Sequence, residues 1–342
     1  MFAPLLRKLV AHEDLTSEEA GAAMAEIMAG RATPAIISAF LVGLAMKGER
    51  PEEIVGLART MRAEAVPFDA EGRAVFDTCG TGGDRSGTFN ISTAASLVVA
   101  ACGVPVAKHG NRSVSSLCGS ADVFEALGVH VAAPPAAAER WLQETGVTFL
   151  FAPTFHPSMR HAAPTRRELG LRTAFNLLGP LTNPARPRRQ LVGVPRPEHA
   201  ELLARALQLL GAERAWVVHG ADGLDEISLS GHTKVAECWH GTVRTFYVHP
   251  SDFGLPKAPV AALAGGDAPA NAAIVRQVLD GERGAARDVV LLNAAAGLFV
   301  AGKTRSFHDG VAAAAAAIDS GGARAMLDAL VAASRAPEGE PA

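Results

Sequence analysis

The feature that most constrains the fold is a change of hydrophobic pattern near residue 74 of this 342-residue chain. From there, short apolar runs alternate with helical segments; the runs are "AVFDT", "VPVAKHG", "VTFLFAP", "RRQLVGV", "RAWVVHG" and "TVRTFYV". Strands separated by helices pair in parallel, and the helices cover both faces of the sheet. The pattern therefore predicts an α/β fold with a central, mostly parallel sheet.

The first 65 residues have a helical pattern instead. Thr16 and Glu19 form a capping-box pair, and Pro34 and Pro51 stand at the first positions of two further helices. We expect a small α-helical domain over residues 1–70, together with the helical stretch at about 165–185. A larger α/β domain would comprise residues 71–164 and 186–338.

Composition narrows the class of protein. The net charge is −3, so there is no general basic field for nucleic acid and no polybasic patch for a membrane surface. The four cysteines form no CxxC pair and are expected to be reduced thiols. No apolar run reaches the roughly 18 residues of a spanning helix, and the N-terminal apolar stretch is too short for a secretory segment. We expect a cytoplasmic protein that holds any anionic ligand locally.

The stretch "DTCGTGGDRSGTFNIST", residues 77–93, follows the first predicted strand and leads into a helix. Glycines let main-chain N–H groups face an anion, and a helix N-terminus adds free donors and a positive dipole end. The stretch matches neither the P-loop nor the dinucleotide-binding pattern, because Arg85 stands where the last glycine would be. It predicts a phosphate-binding loop; the alternative is a glycine-rich turn without a ligand.

A second loop, "KHGNRSVSSLCGSAD" at residues 108–122, also follows a predicted strand. Lys108 and Arg112 can neutralise phosphate charge, and the serines and Asn111 offer hydrogen bonds. A solvated charged loop is the alternative. His109 is either a ligand contact or a packed ring, and the residues alone leave this open.

Two further segments end or follow predicted strands. In "DGLDE", Asp225 and Glu226 are adjacent acids; alone they indicate surface charge, but beside two phosphate-binding loops they are candidate Mg²⁺ ligands. In "PTRRELG", Arg166 and Arg167 flank a helix. Their simplest explanation is a salt-bridge pair, whereas in a cleft between domains one arginine would bind a carboxylate through both its nitrogens.

The motifs "GTGGD", "NIST", "KHGNRSVSS" followed by "GSAD", "FNLLGPLTNPA" and "VVHGADGLDEIS" together resemble the anthranilate phosphoribosyltransferase family. The resemblance is dense over about residues 74–235. One departure is Leu117–Cys118, where more polar residues are expected. These positions are expected to point away from the ligand.

This resemblance implies a nucleoside phosphorylase/phosphoribosyltransferase-like fold, with the active site between the two domains, and a homodimer joined through the helical domains. It implies transfer of the phosphoribosyl group from 5-phosphoribosyl 1-diphosphate to the amine of anthranilate, the second step of tryptophan biosynthesis. Pyrophosphate is released, and two Mg²⁺ ions per monomer are implied.

The resemblance also implies roles for individual residues. The phosphoribosyl diphosphate site would comprise Gly80, Gly83, Asp84, Thr88, Asn90, Ile91, Ser92, Thr93, Lys108, His109, Gly110, Asn111, Arg112, Ser113, Val114, Ser115, Ser116 and Ser120. Anthranilate would contact Gly80, Asn111 and Arg166. One Mg²⁺ would be bound by Ser92 and Glu226, and the second by Asp225 and Glu226. No residue is expected to act as a nucleophile or proton-transfer catalyst, and Lys108 and Arg166 would be supportive.

Two alternatives remain. Pyrimidine nucleoside phosphorylases share this two-domain fold and a lysine-bearing phosphate loop, but they lack the Asn-Arg-Ser series and do not need the Asp-Glu pair. A protein of the same fold that has lost transferase activity and binds nucleic acid would call for a basic surface and eroded phosphate motifs. The charge of −3 and the intact motifs argue against it.

Overall fold

A seven-stranded sheet organises the larger part of the molecule in the computed structural model, which describes residues 1–113 and 117–336. The strands are β1 (Phe76–Gly80), β2 (Val106–Gly110), β3 (Val147–Phe151), β4 (Arg189–Gly193), β5 (Arg214–Gly220), β6 (Thr233–Trp239) and β7 (Thr242–Val248). Their order in the sheet is β3-β2-β1-β4-β5-β6-β7. The first five are parallel and the last two antiparallel, which confirms the predicted mostly parallel sheet. Strand β6 was not predicted.

The order of the strands places a switch point between β1 and β4. From β1 the chain continues to β2 and β3 on one side, and then returns to β4 and β5 on the other. Connections that leave in opposite directions open a crevice at the carboxyl ends of the strands, where α/β proteins bind ligands. Here Gly80 and Gly193 lie side by side in register at the ends of β1 and β4.

The N-terminal region is helical, as predicted. It comprises α1 (Phe2–Val10), α2 (Ser17–Met28), α3 (Pro34–Lys47) and α4 (Pro51–Ala63). Thr16 caps α2 in a reciprocal capping box with Glu19, and Thr33 accepts from the N–H of Ile36 at the start of α3. Helix α1 was not predicted, because it has no side-chain cap; burial of Leu5 and Leu9 holds it in place.

The remaining helices surround the sheet. They are α5 (Ile91–Ala101), α6 (Ser120–Leu127), α7 (Pro135–Thr145), α8 (Ala152–Phe155), α9 (Ala163–Leu169), α10 (Phe175–Leu178), α11 (Glu198–Leu209), α12 (Ala268–Leu279), α13 (Ala285–Val300), α14 (Phe307–Asp319) and α15 (Gly322–Arg335). Short 3₁₀ turns span Pro157–His161, Gly179–Leu181, Pro250–Phe253 and Val260–Leu263. Over residues 1–113 and 117–336, no helix combines the length and apolar character that crossing a membrane requires.

The two faces of the sheet belong to different hydrophobic cores. Successive side chains of a strand point to opposite faces, so Trp216 and Val218 join the core formed with α5, α6 and α12–α15. Ala215 and Val217 join a second core with α1–α4 and α11. Residues 174–181 contribute to this second core, which is compatible with the predicted assignment of 165–185; the domain boundaries themselves stay a prediction.

Candidate functional site

The loop after β1 lies at the switch point and packs against the loop that carries Asp225. Gly82 and Gly83 have φ angles of +65° and +83°, which glycine adopts without strain. A Cβ on Gly80 would lie 2.3 Å from Oδ2 of Asp225, so this close approach requires glycine. The main-chain N–H of Gly82 donates to the same Oδ2 over 2.9 Å. Two segments 143 residues apart in sequence thus meet at one edge of the sheet.

Arg172 contacts this glycine loop, although it was not among the predicted site residues. Its Nη2 donates to the carbonyl oxygen of Thr81 over 3.3 Å. A Cβ on Gly83 would lie 1.8 Å from Nη1, so the guanidinium rests on the glycine backbone. Burial lowers the pKa of Arg172, while the charges of Asp225 and Asp84 raise it. The only sequence feature that could have indicated a role for Arg172 is its position just before "FNLLGPLTNPA", in the stretch that contains Arg166.

Asp225 and Glu226 lie on the loop after β5, which folds across the carboxyl ends of β1 and β4. A Cβ on Gly193 would meet the carbonyl oxygen of Asp225 at 1.5 Å, so the loop rests on the strand itself. Surrounding protein atoms raise the pKa of both carboxyl groups. The charge of Asp84 raises the pKa of Asp225 further, and the charge of Asp225 raises that of Glu226. Asp84, Asp225 and Glu226 therefore lie close together, and the positive charge near them does not balance their negative charge.

Ser92 and Lys108 connect these acids to the start of α5. Oε1 of Glu226 accepts the main-chain N–H of Ser92 over 3.1 Å, at the second residue of the helix. The Lys108 side chain is buried, and its Nζ donates to the carbonyl oxygen of Thr78 and to Oγ of Ser92, the latter over 3.2 Å. The charge of Lys108 lowers the pKa of Glu226. Lys108 thus lies beneath the loop and reaches the site through Ser92.

Other predicted residues of the first loop lie around the N-terminus of α5. Asn90 bridges two segments: its Oδ1 accepts from Nδ2 of Asn271 over 2.9 Å, and its Nδ2 donates to the carbonyl oxygen of Cys118. Thr88 forms a β-bridge with Ala264. Thr93 is buried, and its Oγ1 has no partner within the described part of the chain.

Ile91 and Asp84 complete the predicted set from this loop. Ile91 is buried, so it offers the site only its main chain. Oδ1 of Asp84 accepts the N–H of Ser86 over 3.4 Å. The structure therefore brings together the glycines, the helix start, Ser92 and the acids, as the sequence predicted.

The second loop is held by its own ion pairs. Nη1 of Arg112 lies 2.9 Å from Oδ1 of Asp122 and 2.7 Å from Oε2 of Glu125. Two carboxylates thus already neutralise the charge of Arg112. The sequence predicted that this charge would neutralise phosphate, and it did not predict the two ion pairs. Oγ of Ser120 donates to the carbonyl oxygen of Asn111 over 3.5 Å.

Further residues of this loop have main-chain roles or lie outside the described part. The N–H of Ser113 donates to Oδ2 of Asp122 over 3.2 Å. A Cβ on Gly110 would lie 2.2 Å from Oγ of Ser120, so this turn is closely packed. The predicted site residues Val114, Ser115 and Ser116 lie outside the described residues. Of the two residues that depart from the family pattern, Leu117 is exposed and Cys118 is buried in the larger core.

A divalent cation fits the chemistry of this edge of the sheet. Asp225, Glu226 and the hydroxyl of Ser92 are oxygen donors, and burial of the two carboxylates makes their charged forms costly without a cation. Within 1–113 and 117–336, no group of three or more His, Cys, Asp or Glu side chains is arranged to hold a metal. Mg²⁺ is commonly held by one or two carboxylates plus water and substrate phosphate oxygens. The donors present match that pattern.

Sequence comparison places the chain in a family. Residues 3–65 match the glycosyl transferase family helical bundle domain, and residues 72–324 match the glycosyl transferase family a/b domain. The anthranilate phosphoribosyltransferase of Moorella thermoacetica is 56% identical over 327 residues, covering 96% of each chain. This chain belongs to the anthranilate phosphoribosyltransferase family.

Solved structures of the family have the same fold. The crystal structure of anthranilate phosphoribosyltransferase from Thermus thermophilus superposes with a TM-score of 0.92, at 48% identity, and covers 98% of this chain and 100% of that one. The enzyme from Saccharomyces cerevisiae, in complex with PRPP and Mg, superposes with a TM-score of 0.88 at 28% identity, covering 96% of each chain.

In this member of the anthranilate phosphoribosyltransferase family, His109 is a packed ring. Its Nδ1 lies 3.1 Å from the carbonyl oxygen of Gly179, and its ring centroid lies 5.3 Å from that of His156. Burial lowers the pKa of His109 to about 3 and that of His156 to about 4, so both rings are neutral. Both Nε2 atoms are buried without a partner among the described residues.

Arg166 lies on α9, with its guanidinium 4.9 Å from the ring centroid of Phe175. Burial lowers its pKa, and no carboxylate of the described residues lies within 4.0 Å of it. The salt-bridge pair that would explain it structurally is therefore not formed. Arg166 remains a cation available to an anionic group.

Proposed function

We propose that this chain transfers the phosphoribosyl group of 5-phosphoribosyl 1-diphosphate to the amine of anthranilate, giving N-(5-phosphoribosyl)anthranilate and pyrophosphate. Membership of the family supports the reaction. The carrying observation is the meeting of the Gly80–Gly83 loop, the start of α5 and the Asp225–Glu226 loop at one switch point. A glycine loop, a helix N-terminus and buried acids together suit a diphosphate that arrives with a divalent cation.

The reaction forms a bond between the anthranilate nitrogen and C1 of the ribose as the C1–diphosphate oxygen bond breaks. An aromatic amine is unprotonated near neutral pH, so it needs no general base to attack, and its excess proton passes to water. The chain's task is to hold the two substrates in line and to stabilise the charge that develops. In our proposal, residues of the loops 77–93 and 108–122 that were predicted to bind phosphoribosyl diphosphate serve that purpose. The hydrogen bond from Lys108 positions Ser92.

Magnesium is proposed as the cation of this site, held by Ser92, Asp225 and Glu226. When bound, it would neutralise charge on the departing diphosphate. Two ions per monomer, one on Ser92 with Glu226 and one on Asp225 with Glu226, are the arrangement proposed. Titration of the protein with Mg²⁺ in the presence of phosphoribosyl diphosphate tests the number; a stoichiometry of one would contradict the second ion.

Arg166 is proposed to bind the carboxylate of anthranilate, together with Asn111 and the backbone at Gly80. A guanidinium without a carboxylate partner suits a planar carboxylate, because both can align two parallel hydrogen bonds. Its contact with Phe175 keeps the guanidinium plane beside an aromatic ring.

A homodimer joined through the helical domain is also proposed. Val10 at the end of α1 and Met46 near the end of α3 are large apolar residues with exposed fractions of 82% and 75%. Helices α1 and α3 pack against each other, so both residues belong to the helical region that the proposal assigns to the dimer contact. Sedimentation of the wild type and of Met46→Lys tests this, because a monomeric wild type would refute the dimer. A cytoplasmic location, compatible with the four free cysteines, is testable by cell fractionation.

The decisive experiment uses the fluorescence of anthranilate. Fluorescence should fall only when phosphoribosyl diphosphate and Mg²⁺ are both present, with one pyrophosphate released for each anthranilate consumed. Omission of either component, or addition of a chelator, is the control. Phosphorolysis of pyrimidine nucleosides without loss of anthranilate would instead support the nucleoside phosphorylase alternative.

A further inference from the structure

Away from the switch point, three arginines line one cavity of about 240 Å³ between α4, the segment before β4 and the end of α11. We call it the arginine cavity, and its lining residues are Arg59, Arg62, Ala63, Arg186, Leu209 and Leu210. None of the predicted residues of the phosphoribosyl, anthranilate or metal sites lines it. It is therefore separate from the site described above.

Each guanidinium in the arginine cavity is anchored to the main chain. Nε of Arg62 donates to the carbonyl oxygen of Leu181 over 2.5 Å, and Nη2 of Arg186 donates to that of Arg62 over 3.4 Å. Nη2 of Arg59 donates to the carbonyl oxygen of Leu209 over 3.1 Å. A guanidinium has five N–H donors, so each group keeps others for a ligand. The anchors fix where the three charges lie.

The positive charge of the arginine cavity has no direct ion pair in the described part of the chain. No carboxylate there lies within 4.0 Å of Arg59, Arg62 or Arg186, whereas Arg50 and Arg189 pair with Asp14 and Glu213. Glu18 is near enough for the charge of Arg59 to lower its pKa, so one acid outside the cavity partly offsets three cations.

The lowered pKa of Arg62 shows that the three positive charges lie close together. Burial lowers the pKa of Arg62 to about 10, and the charges of Arg186 and Arg59 contribute to that lowering. Like charges that lie close together repel one another, and an anion bound between them would reduce this repulsion.

We propose that the arginine cavity is a binding site for a small molecule that carries a phosphate group. Three guanidinium groups match the several acceptor oxygens of one phosphate, to which arginine binds through paired N–H donors. The cavity has room beyond the phosphate, and Leu209 and Leu210 provide an apolar wall for a small organic group.

The test is calorimetric titration of the full-length protein with inorganic phosphate at constant ionic strength. Saturating phosphoribosyl diphosphate and Mg²⁺, without anthranilate, keep the phosphoribosyl site filled. The variant is Arg59→Gln with Arg186→Gln, two exposed residues, so that Arg62 keeps its contact with Leu181. The matched control is Arg188→Gln with Arg205→Gln, which removes the same charge from exposed positions outside the cavity.

We expect the wild type and the control to bind phosphate equally, and the cavity variant to bind it at least about tenfold more weakly, with unchanged melting temperature and turnover. Equal affinity in all three proteins, or no binding to the wild type at millimolar phosphate, overturns the proposal. A second arm compares glycerol phosphate with acetate: equal binding of acetate would overturn phosphate as the ligand class. Crystals of the wild type soaked in selenate give an independent check, since anomalous signal only outside the cavity would also refute it.

Discussion

Oε1 of Glu226 accepts the main-chain N–H of Ser92 at 3.1 Å, and this contact joins the loop after β5 to the first turn of α5. The carboxylate thereby lies at a helix N-terminus, where free N–H groups and the dipole favour negative charge. Even so, burial and the charge of Asp225 keep the pKa of Glu226 above its ordinary value. Without a cation, the acids at this edge are therefore a source of instability rather than of stability.

The first prediction concerns pH and Mg²⁺. Because the folded protein raises the pKa of Asp225 and Glu226, their effect on stability is favourable below the ordinary carboxyl pKa of about 4 and is lost as pH rises through the raised values. Mg²⁺ takes the place of the protons, so its stabilisation should be larger at pH 8 than at pH 6. Thermal unfolding measures this; at a hundredfold excess over Kd, an ion adds about 2.7 kcal/mol.

The matched variant is Asp225→Asn with Glu226→Gln. It should lose Mg²⁺-dependent turnover and the Mg²⁺ effect on melting, and its metal-free stability should vary less with pH than that of the wild type. Asp328→Asn, an exposed carboxylate on α15, is the control. Near-normal rates in the double variant, or equal Mg²⁺ stabilisation at both pH values, would contradict the metal assignment.

The second prediction separates close approach from backbone strain in the glycine loop. Gly82 and Gly83 both have positive φ, but only a Cβ on Gly83 would meet another group, Nη1 of Arg172 at 1.8 Å. Gly82→Ala costs the strain of a left-handed residue, about 1–2 kcal/mol. Gly83→Ala costs the same strain and also displaces Arg172. We expect KM for phosphoribosyl diphosphate to rise at least about tenfold more in Gly83→Ala, and equal KM values would argue against this role of the loop.

The third prediction concerns the carboxylate of anthranilate. Arg166→Ala should raise KM for anthranilate by about tenfold to a hundredfold, since a hydrogen bond to a charged group contributes about 1.5–3 kcal/mol. KM for phosphoribosyl diphosphate should change little. The neighbouring, exposed Arg167 provides the control in Arg167→Ala. If the effect of Arg166→Ala fell on the phosphoribosyl donor alone, the assignment would be wrong.

Much of this architecture follows from local sequence signals. The strands β1 to β5 are short apolar runs between helices. Thr16 caps α2, and α3 and α4 begin at Pro34 and Pro51. Strand β6 was not predicted because "TKVAECW" has a charged residue, Glu237, at a position that the fold buries. Glu237 is fully buried there, with its carboxylate bonded to Arg214 and Trp216. A strand whose charges are neutralised by distant partners has no clear alternation in its sequence.

The functional site, too, could be predicted only in part from the sequence. The glycines, Ser92 and the two acids could be predicted because each follows a strand, and parallel strands end at one edge. The contact of Arg172 with Thr81 spans 91 residues, and the pairing of Arg112 with Asp122 and Glu125 depends on how its loop folds back. Such tertiary contacts leave no periodic signal. Sequence therefore predicts which loops form the site, while the structure decides which charges within them are already matched.

The last prediction concerns the stability of the helical region. Glu53 on α4 is fully buried; its Oε1 accepts the N–H of Leu15, and its Oε2 accepts from the N–H of Arg50 and from Nζ of Lys47, at 2.8 to 3.0 Å. Glu53→Ala would leave the N–H groups of Leu15 and Arg50 without this acceptor, while Lys47 would keep the exposed Asp14 as a partner at 2.9 Å. We expect a loss of about 3 kcal/mol in the free energy of unfolding, since each buried donor left unsatisfied costs about 1–3 kcal/mol. The exposed Glu52→Ala should change it by less than about 0.5 kcal/mol. Urea unfolding of the two variants makes the comparison, and similar midpoints would show that the Glu53 contacts do not stabilise the fold.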